Sequence, residues 1–245
     1  MGLNSPDVTI VLLPGMDGTG LLFQPWEEAK PEHVELCVID YPVEVALAYD
    51  DLLPLVRARL PQDRPYALLA ESFSGPLGLM LAAEAPDRLC GLILCCTFAK
   101  SPQPVLKLLR PFLTLMKFAG LPALLVRLGH RALFGRFADA QTQAALSASL
   151  RHLRPAVLGS RMRAVLDVDV TPLLPRVDVP VLYLSAEEDR VVASSALRHL
   201  ARALPQMQVA RIAAPHMLLQ TMPGAAWQAV LSFLEGVGAD ARFRG

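Results

Sequence analysis

A serine stands between a strand-like run, Tyr66–Ala70, and an apolar, small-residue helical run that ends at Ala85, in the segment Leu68-Leu69-Ala70-Glu71-Ser72-Phe73-Ser74-Gly75. A hydroxyl on a tight strand-to-helix turn is exposed to a substrate and backed by a helix N-terminus, which favours negative charge nearby. Such a turn needs small residues two before and two after the nucleophile. Here they are Ala70 and Ser74 in place of the usual glycines. Ser74 competes for the role, but Pro76 would then occupy the small-residue position and the hydroxyl would lie inside the helix. Ser72 is therefore the candidate nucleophile. The plainer reading, a serine-rich helix cap, explains the segment only when it is taken alone.

A serine hydroxyl is a weak nucleophile at neutral pH and needs a base, which in turn needs an orienting carboxylate. Asp189, in Ala186-Glu187-Glu188-Asp189-Arg190-Val191-Val192, follows the strand-like run Val179–Ser185 and is the candidate acid. Glu187 and Glu188 read as solvated loop charges. Two of the five histidines follow Asp189. His199 lies in the amphipathic run Ala193–Leu204 and reads as a surface residue. His216 follows the run Val209–Ile212 through Ala213-Ala214-Pro215 and is the candidate base. His216 would take the serine proton during attack and return it to the leaving group. Attack on a carbonyl also requires donors for the oxyanion. The Phe73 N–H is one candidate. The Met16 N–H, in the loop Leu13-Pro14-Gly15-Met16-Asp17-Gly18-Thr19-Gly20, is the other. Asp17 would repel an oxyanion, so its carboxylate is expected to turn away and bond within its own glycine-rich turn.

Positioning these groups requires alternating strands and helices. Val8–Leu13, Val34–Asp40, Tyr66–Ala70, Leu89–Cys96, Val179–Ser185 and Val209–Ile212 read as six strands. Helical runs near Thr19–Ala29, Ala46–Leu60, Ala193–Leu204 and Pro223–Leu234 separate them. This alternation implies parallel pairing with right-handed crossovers. Residues 100–165 break the rhythm with helical periodicity alone, and Pro111, Pro122 and Pro155 are expected to start helices there. The expected division is a core of residues 1–99 and 166–235, a helical cap at 100–165 and a polar tail at 236–245.

Composition narrows the functional classes. Of 245 residues, 53% are hydrophobic and 19% charged, so the chain can bury a large core. Equal numbers of acids and bases, 23 each, argue against a nucleic-acid binder. The balance hides a division: residues 100–165 carry eleven bases and one acid, a net +10, and the remainder carries −10. The four cysteines include no C-x-x-C pair and fit buried thiols in a reducing compartment. No apolar run approaches the roughly 20 residues of a membrane span. A cytoplasmic protein is expected, with neither metal nor cofactor.

These motifs together resemble the α/β-hydrolase superfamily, serine esterase-like members with a helical cap among them. The resemblance rests on the Leu12–Gly20 loop, on Ala70-Glu71-Ser72-Phe73-Ser74-Gly75, on Glu187–Val192, and on His216 followed by Pro223. It covers nearly the whole chain outside 100–165. It implies an eight-stranded sheet or a shortened version, here starting at the family's third strand. It also implies a cap inserted where Lys100–Leu166 lies. The His-Gly usual in the oxyanion loop is Pro14-Gly15 here. The same loop is similar to the hydrolase-like half of plant plastid phytyl ester synthases. Their second half carries H-x-x-x-x-D, which this chain lacks.

The expected activity is cleavage of carboxylic esters or thioesters through an acyl-enzyme. The alternatives are acyl transfer, an acyl-CoA or acyl-carrier thioesterase, and a non-catalytic binding module. The expected substrate is a small-molecule ester or acyl compound, and the basic cap reads either as ordinary solvated helix faces or as a site for an anionic partner, such as an acyl-CoA, an acyl-carrier protein or an acidic membrane surface. Leu106, Leu109, Leu113 and Met116 would line an acyl pocket. A dinucleotide fold fits poorly, because Gly15, Gly18 and Gly20 do not spell G-x-G-x-x-G.

Overall fold

The computed structural model describes residues 8–102, 123–151 and 153–242. Six strands, β1 (Val8–Leu13), β2 (Val34–Val38), β3 (Tyr66–Glu71), β4 (Leu89–Cys95), β5 (Val181–Ala186) and β6 (Gln208–Ile212), form one sheet in the order β2-β1-β3-β4-β5-β6. Every pairing is parallel. The helices in the first half are α1 (Gln24–Glu28), α2 (Tyr49–Arg57) and α3 (Gly75–Ala83). Between β4 and β5 come α4 (Ala123–Phe134), α5 (Ala140–Arg151) and α6 (Pro155–Asp167). Then follow α7 (Ser194–Ala203), the single turn α8 (Leu218–Thr221) and α9 (Pro223–Arg242).

A parallel sheet is covered on both faces, so its central strands β1, β3, β4 and β5 are mostly buried rather than alternating, while the edge strands β2 and β6 carry Glu35, Gln208 and Arg211. Successive side chains point to opposite faces, and the core divides accordingly. Val11, Leu13, Leu68, Ala70, Leu92 and Leu94 pack on one face with α2, α3 and α7. Ile10, Leu12, Ala67, Leu69, Ile93 and Leu184 pack on the other with α1 and α9. Trp26 and Trp227 stack there at 3.9 Å, and Trp227 Nε1 donates to Trp26 O at 2.9 Å.

The strands lie where the apolar runs put them, and the helix ends differ. The Ala46–Leu60 run is helical only over Tyr49–Arg57. Asp51 accepts the Ala48 N–H at 3.0 Å and so sets the start. Residues 236–242, expected as polar tail, continue α9. The segment has no proline, and Gly236 and Gly238 weaken the helix without ending it. Helix α6 starts at Pro155 as the proline rule predicts. Pro111, Pro122, Leu106, Leu109, Leu113 and Met116 lie outside the described residues. Among the described residues no helix is long and apolar enough to cross a membrane.

Candidate active site

Parallel strands point their C-terminal ends to one edge, and ligands of open α/β sheets bind in the crevice there. β1, β3, β4, β5 and β6 each end in a loop that contributes to one cluster. Register places Leu13 beside Ala70, so the loop after β1 adjoins the turn after β3. Ser72 follows β3 directly, with φ of 49°, a left-handed conformation that side chains disfavour. The surroundings hold it there. Thr97, after β4, donates its hydroxyl to Ser72 O, and Tyr183 on β5 brackets Thr97 through both its N–H and its carbonyl. A Cβ on Gly75 would fall 1.9 Å from Thr97 Oγ1, so this crossing of helix and sheet admits only glycine. Gly75 thus supplies the close approach that the usual pattern assigns one residue earlier.

Ser72 Oγ lies 2.9 Å from His216 Nε2, and His216 Nδ1 lies 2.9 Å from Asp189 Oδ2. Asp189 Oδ1 accepts the N–H groups of Val191 and Val192 at 2.8 and 2.9 Å. These bonds leave Oδ2 aimed at the imidazole. His216 is buried, while Ser72 is partly exposed. The three residues come from positions 27 to 144 apart in the chain and form one continuous hydrogen-bonded line. Glu187 and Glu188 are exposed, and Glu188 pairs with Arg136 at 3.0 Å. His199 bonds Thr171 Oγ1 at 3.0 Å, on another part of the molecule.

Ser74 is fully buried. It donates to Pro14 O and lies 2.5 Å from the Tyr41 hydroxyl. Its role is to fasten the Pro14–Gly20 loop to the turn, and it cannot reach a substrate. Asp17 Oδ2 accepts the Thr19 N–H at 3.0 Å and the Thr19 hydroxyl at 2.5 Å, within the glycine-rich turn as expected. Met16 lies in that loop, half-buried, and Phe73 is buried directly after Ser72, with Tyr49 donating to Phe73 O at 2.8 Å.

Glu71 is the unexpected member. It is buried beside Ser72 and accepts from Gln220 Nε2 at 2.9 Å, with the Gly15 N–H near enough to favour its ionised form. Burial raises its carboxyl to about 7, against the pull of the Gln220 bond. Asp17 adds to the rise, and His216 and the Gly15 N–H oppose it. The sequence offered one signal for Glu71, its place next to the nucleophile. Tyr41, Thr97, Arg161 and Gln220 carried none, since each acts through a contact distant in sequence. Among the described residues, Cys96, Asp189 and His216 form the one group with ligand atoms close enough, within 4.8 Å, to share a metal ion. Asp189 and His216 are already bonded to each other and Cys96 is buried, so the group reads as packing around the relay. Of the four cysteines, Cys95 and Cys96 are buried, while Cys37 and Cys90 are half-buried.

Residues 44–219 match the family model described as serine aminopeptidase, S33. The chain belongs to that family. It is an α/β-hydrolase enzyme, and the matched span contains Ser72, Asp189 and His216. A protein of Caulobacter sp. (strain K31), named as a carbamate hydrolase, RutD, is 28% identical over 253 residues, covering 94% of this chain and 92% of its own. Phytyl ester synthase 1 of Arabidopsis thaliana, a chloroplast protein, is 33% identical over 111 residues, covering 41% of this chain and 16% of its own. The crystal structure of the enol-lactonase from Burkholderia xenovorans LB400 superposes with a TM-score of 0.79 at 20% identity, over 93% of this chain and 91% of that one. At that identity the likeness is one of fold.

Proposed function

We propose that this hydrolase cleaves carboxylic esters through an acyl-enzyme formed on Ser72. The observation that carries the reading is the unbroken line Ser72 Oγ, His216 Nε2, His216 Nδ1, Asp189 Oδ2, with 2.9 Å at each hydrogen bond. His216 Nε2 takes the Ser72 proton as Oγ bonds to the carbonyl carbon. The carbonyl oxygen becomes an oxyanion, which the Met16 and Phe73 N–H groups receive. Collapse breaks the bond to the leaving alkoxide, and the proton on Nε2 goes to that oxygen. Water, giving a proton to His216 Nε2, then attacks the acyl carbon; collapse breaks the bond to Ser72 Oγ, the proton on Nε2 returns to that oxygen, and the acyl group leaves as the carboxylic acid. Asp189 stays ionised and stabilises the imidazolium.

A panel of p-nitrophenyl esters and acyl-CoAs of graded chain length tests this. Ser72→Ala should lower kcat by about a thousandfold or more and abolish labelling by a fluorophosphonate. Activity retained in folded Ser72→Ala would reject the assignment. A second reading, transfer of the acyl group to an alcohol, is supported by the stretch shared with the phytyl ester synthase. Added long-chain alcohol would then yield ester product at the expense of free acid.

A further inference from the structure

The segment between β4 and β5 reaches into the site through one buried cation. Arg161, on α6, is 1% exposed. Its Nη1 donates to Met16 O at 2.9 Å and to Asp17 O at 2.7 Å, and its Nη2 donates to Pro42 O at 3.0 Å. The guanidinium lies 5.7 Å from the centre of the Tyr41 ring. A Cβ on Gly18 would fall 2.4 Å from Nη1, so the loop closes on the guanidinium at a glycine with φ of 71°. Burying a charge is costly unless its hydrogen bonds are met. Here backbone carbonyls from two loops meet three of its five N–H groups, and Asp17 and the Tyr41 ring supply the favourable field.

We propose that Arg161 is a positioning residue that sets the direction of the Met16 N–H. The path runs through rigid peptide planes. Holding Asp17 O fixes the Asp17–Gly18 peptide, whose N–H donates to Gly15 O at 3.1 Å. Holding Gly15 O in turn fixes the Gly15–Met16 peptide, whose N–H is that of Met16. From the far side, the buried Glu71 carboxyl lies near the Gly15 N–H. The loop is thus gripped at successive peptides by a cation from the insertion and a carboxyl from the strand. A planar fork suits this task, and an ammonium does not reproduce it. Misplacing an oxyanion donor affects the transition state more than the bound ester.

The inference rests on the ester-hydrolysis reading, and the experiment separates the two. Arg161→Lys, Arg161→Met and Ser72→Ala are compared with wild type by kcat and KM for p-nitrophenyl acetate, with wild type and the arginine variants normalised to sites titrated with a fluorophosphonate and Ser72→Ala to the concentration of folded protein. The rate constant for fluorophosphonate labelling and the melting curve accompany them. The expected result for folded Arg161→Lys is a kcat lower by about 30-fold or more with KM within about threefold, and labelling slowed in parallel. A role in stability alone would lower Tm and leave kcat per titrated site within about threefold, which overturns the inference. If neither arginine variant melts cooperatively, Gly18→Ala, which pushes on the same guanidinium, is held to the same thresholds. Inert Ser72→Ala with unimpaired Arg161→Lys rejects this inference alone. Active Ser72→Ala, or wild type that neither turns over the ester nor takes the label, rejects both.

Discussion

Glu71 shows how a site can hold a carboxyl that takes no direct part in attack. Its folded value of about 7 lies above the ordinary 4.5, because burial removes water from the ionised form. The raised value means that folding favours the protonated acid. The associated stability is fully present below pH 4.5 and is lost as pH rises through 7. The difference corresponds to about 3 kcal/mol. Among the described residues Gln220 Oε1 is buried without a hydrogen-bond partner. Glu71→Gln removes the titrating group and keeps an acceptor for the Gly15 N–H. Urea titrations of both proteins at pH 5 and pH 8 should show the variant gaining about 2 kcal/mol on wild type between the two pH values. Parallel pH dependence in the two proteins would place the ionised carboxyl in a better-solvated setting than the structure gives it.

At the level of elements, the junction of β3, α3 and β4 does the holding. Ser72 keeps a disfavoured backbone conformation, at a cost of about 1–3 kcal/mol, because Thr97 takes its carbonyl and α3 packs tightly behind it. Gly75→Ala drives a methyl into Thr97 and should destabilise the fold by about 3 kcal/mol. Thr97→Ala opens the space but leaves Ser72 O without its donor. The double variant should therefore cost less than the sum of the singles, the signature of a shared contact. Equilibrium denaturation of the four proteins measures this. Strict additivity would mean that helix and sheet do not touch at this point.

Across the whole molecule, described residues of the +10 segment touch the −10 remainder through identifiable contacts. Arg136 pairs with Glu188 and donates to Ala213 O, Arg154 pairs with Glu44, and Arg161 enters the loop after β1. The backbone joins in: Met217, next to His216, donates to Leu133 O at 3.0 Å, and Leu22, Phe134, Leu146 and Met217 form a small apolar cluster. The insertion is therefore anchored to both the His216 loop and the Met16 loop. On the opposite side of the sheet the two tryptophans of the chain stack across α1 and α9. Trp227→Ala should cost about 3–5 kcal/mol and Trp227→Phe much less. Because both tryptophans sit in this pair, their emission reports the separation of α1 from α9. The fluorescence and far-ultraviolet circular dichroism transitions of wild type should coincide, and an alanine variant within 1 kcal/mol of wild type would show that the clamp is dispensable.

What the sequence alone determined is local and periodic. Continuous apolar runs identified the central strands, because a doubly covered parallel strand has no polar side to show, and the edge strands β2 and β6 were read from their place in the alternation of strands and helices. The order of serine, acid and histidine at strand ends pointed to Ser72, Asp189 and His216, because parallel strands bring their C-terminal ends to one edge. The Asp17 turn was legible because its partner, Thr19, is two residues away. The sequence already preferred Ser72 to Ser74 through the position of Pro76, and the tertiary structure added the burial of Ser74 against Pro14 and Tyr41. The tertiary structure alone revealed Glu71 as a buried acid and Arg161 as a brace, because each contact joins residues brought close only by folding. A pattern within one segment records what that segment does for its own backbone. The environment of a side chain is set by all the segments that close around it, and no single stretch of sequence carries that information.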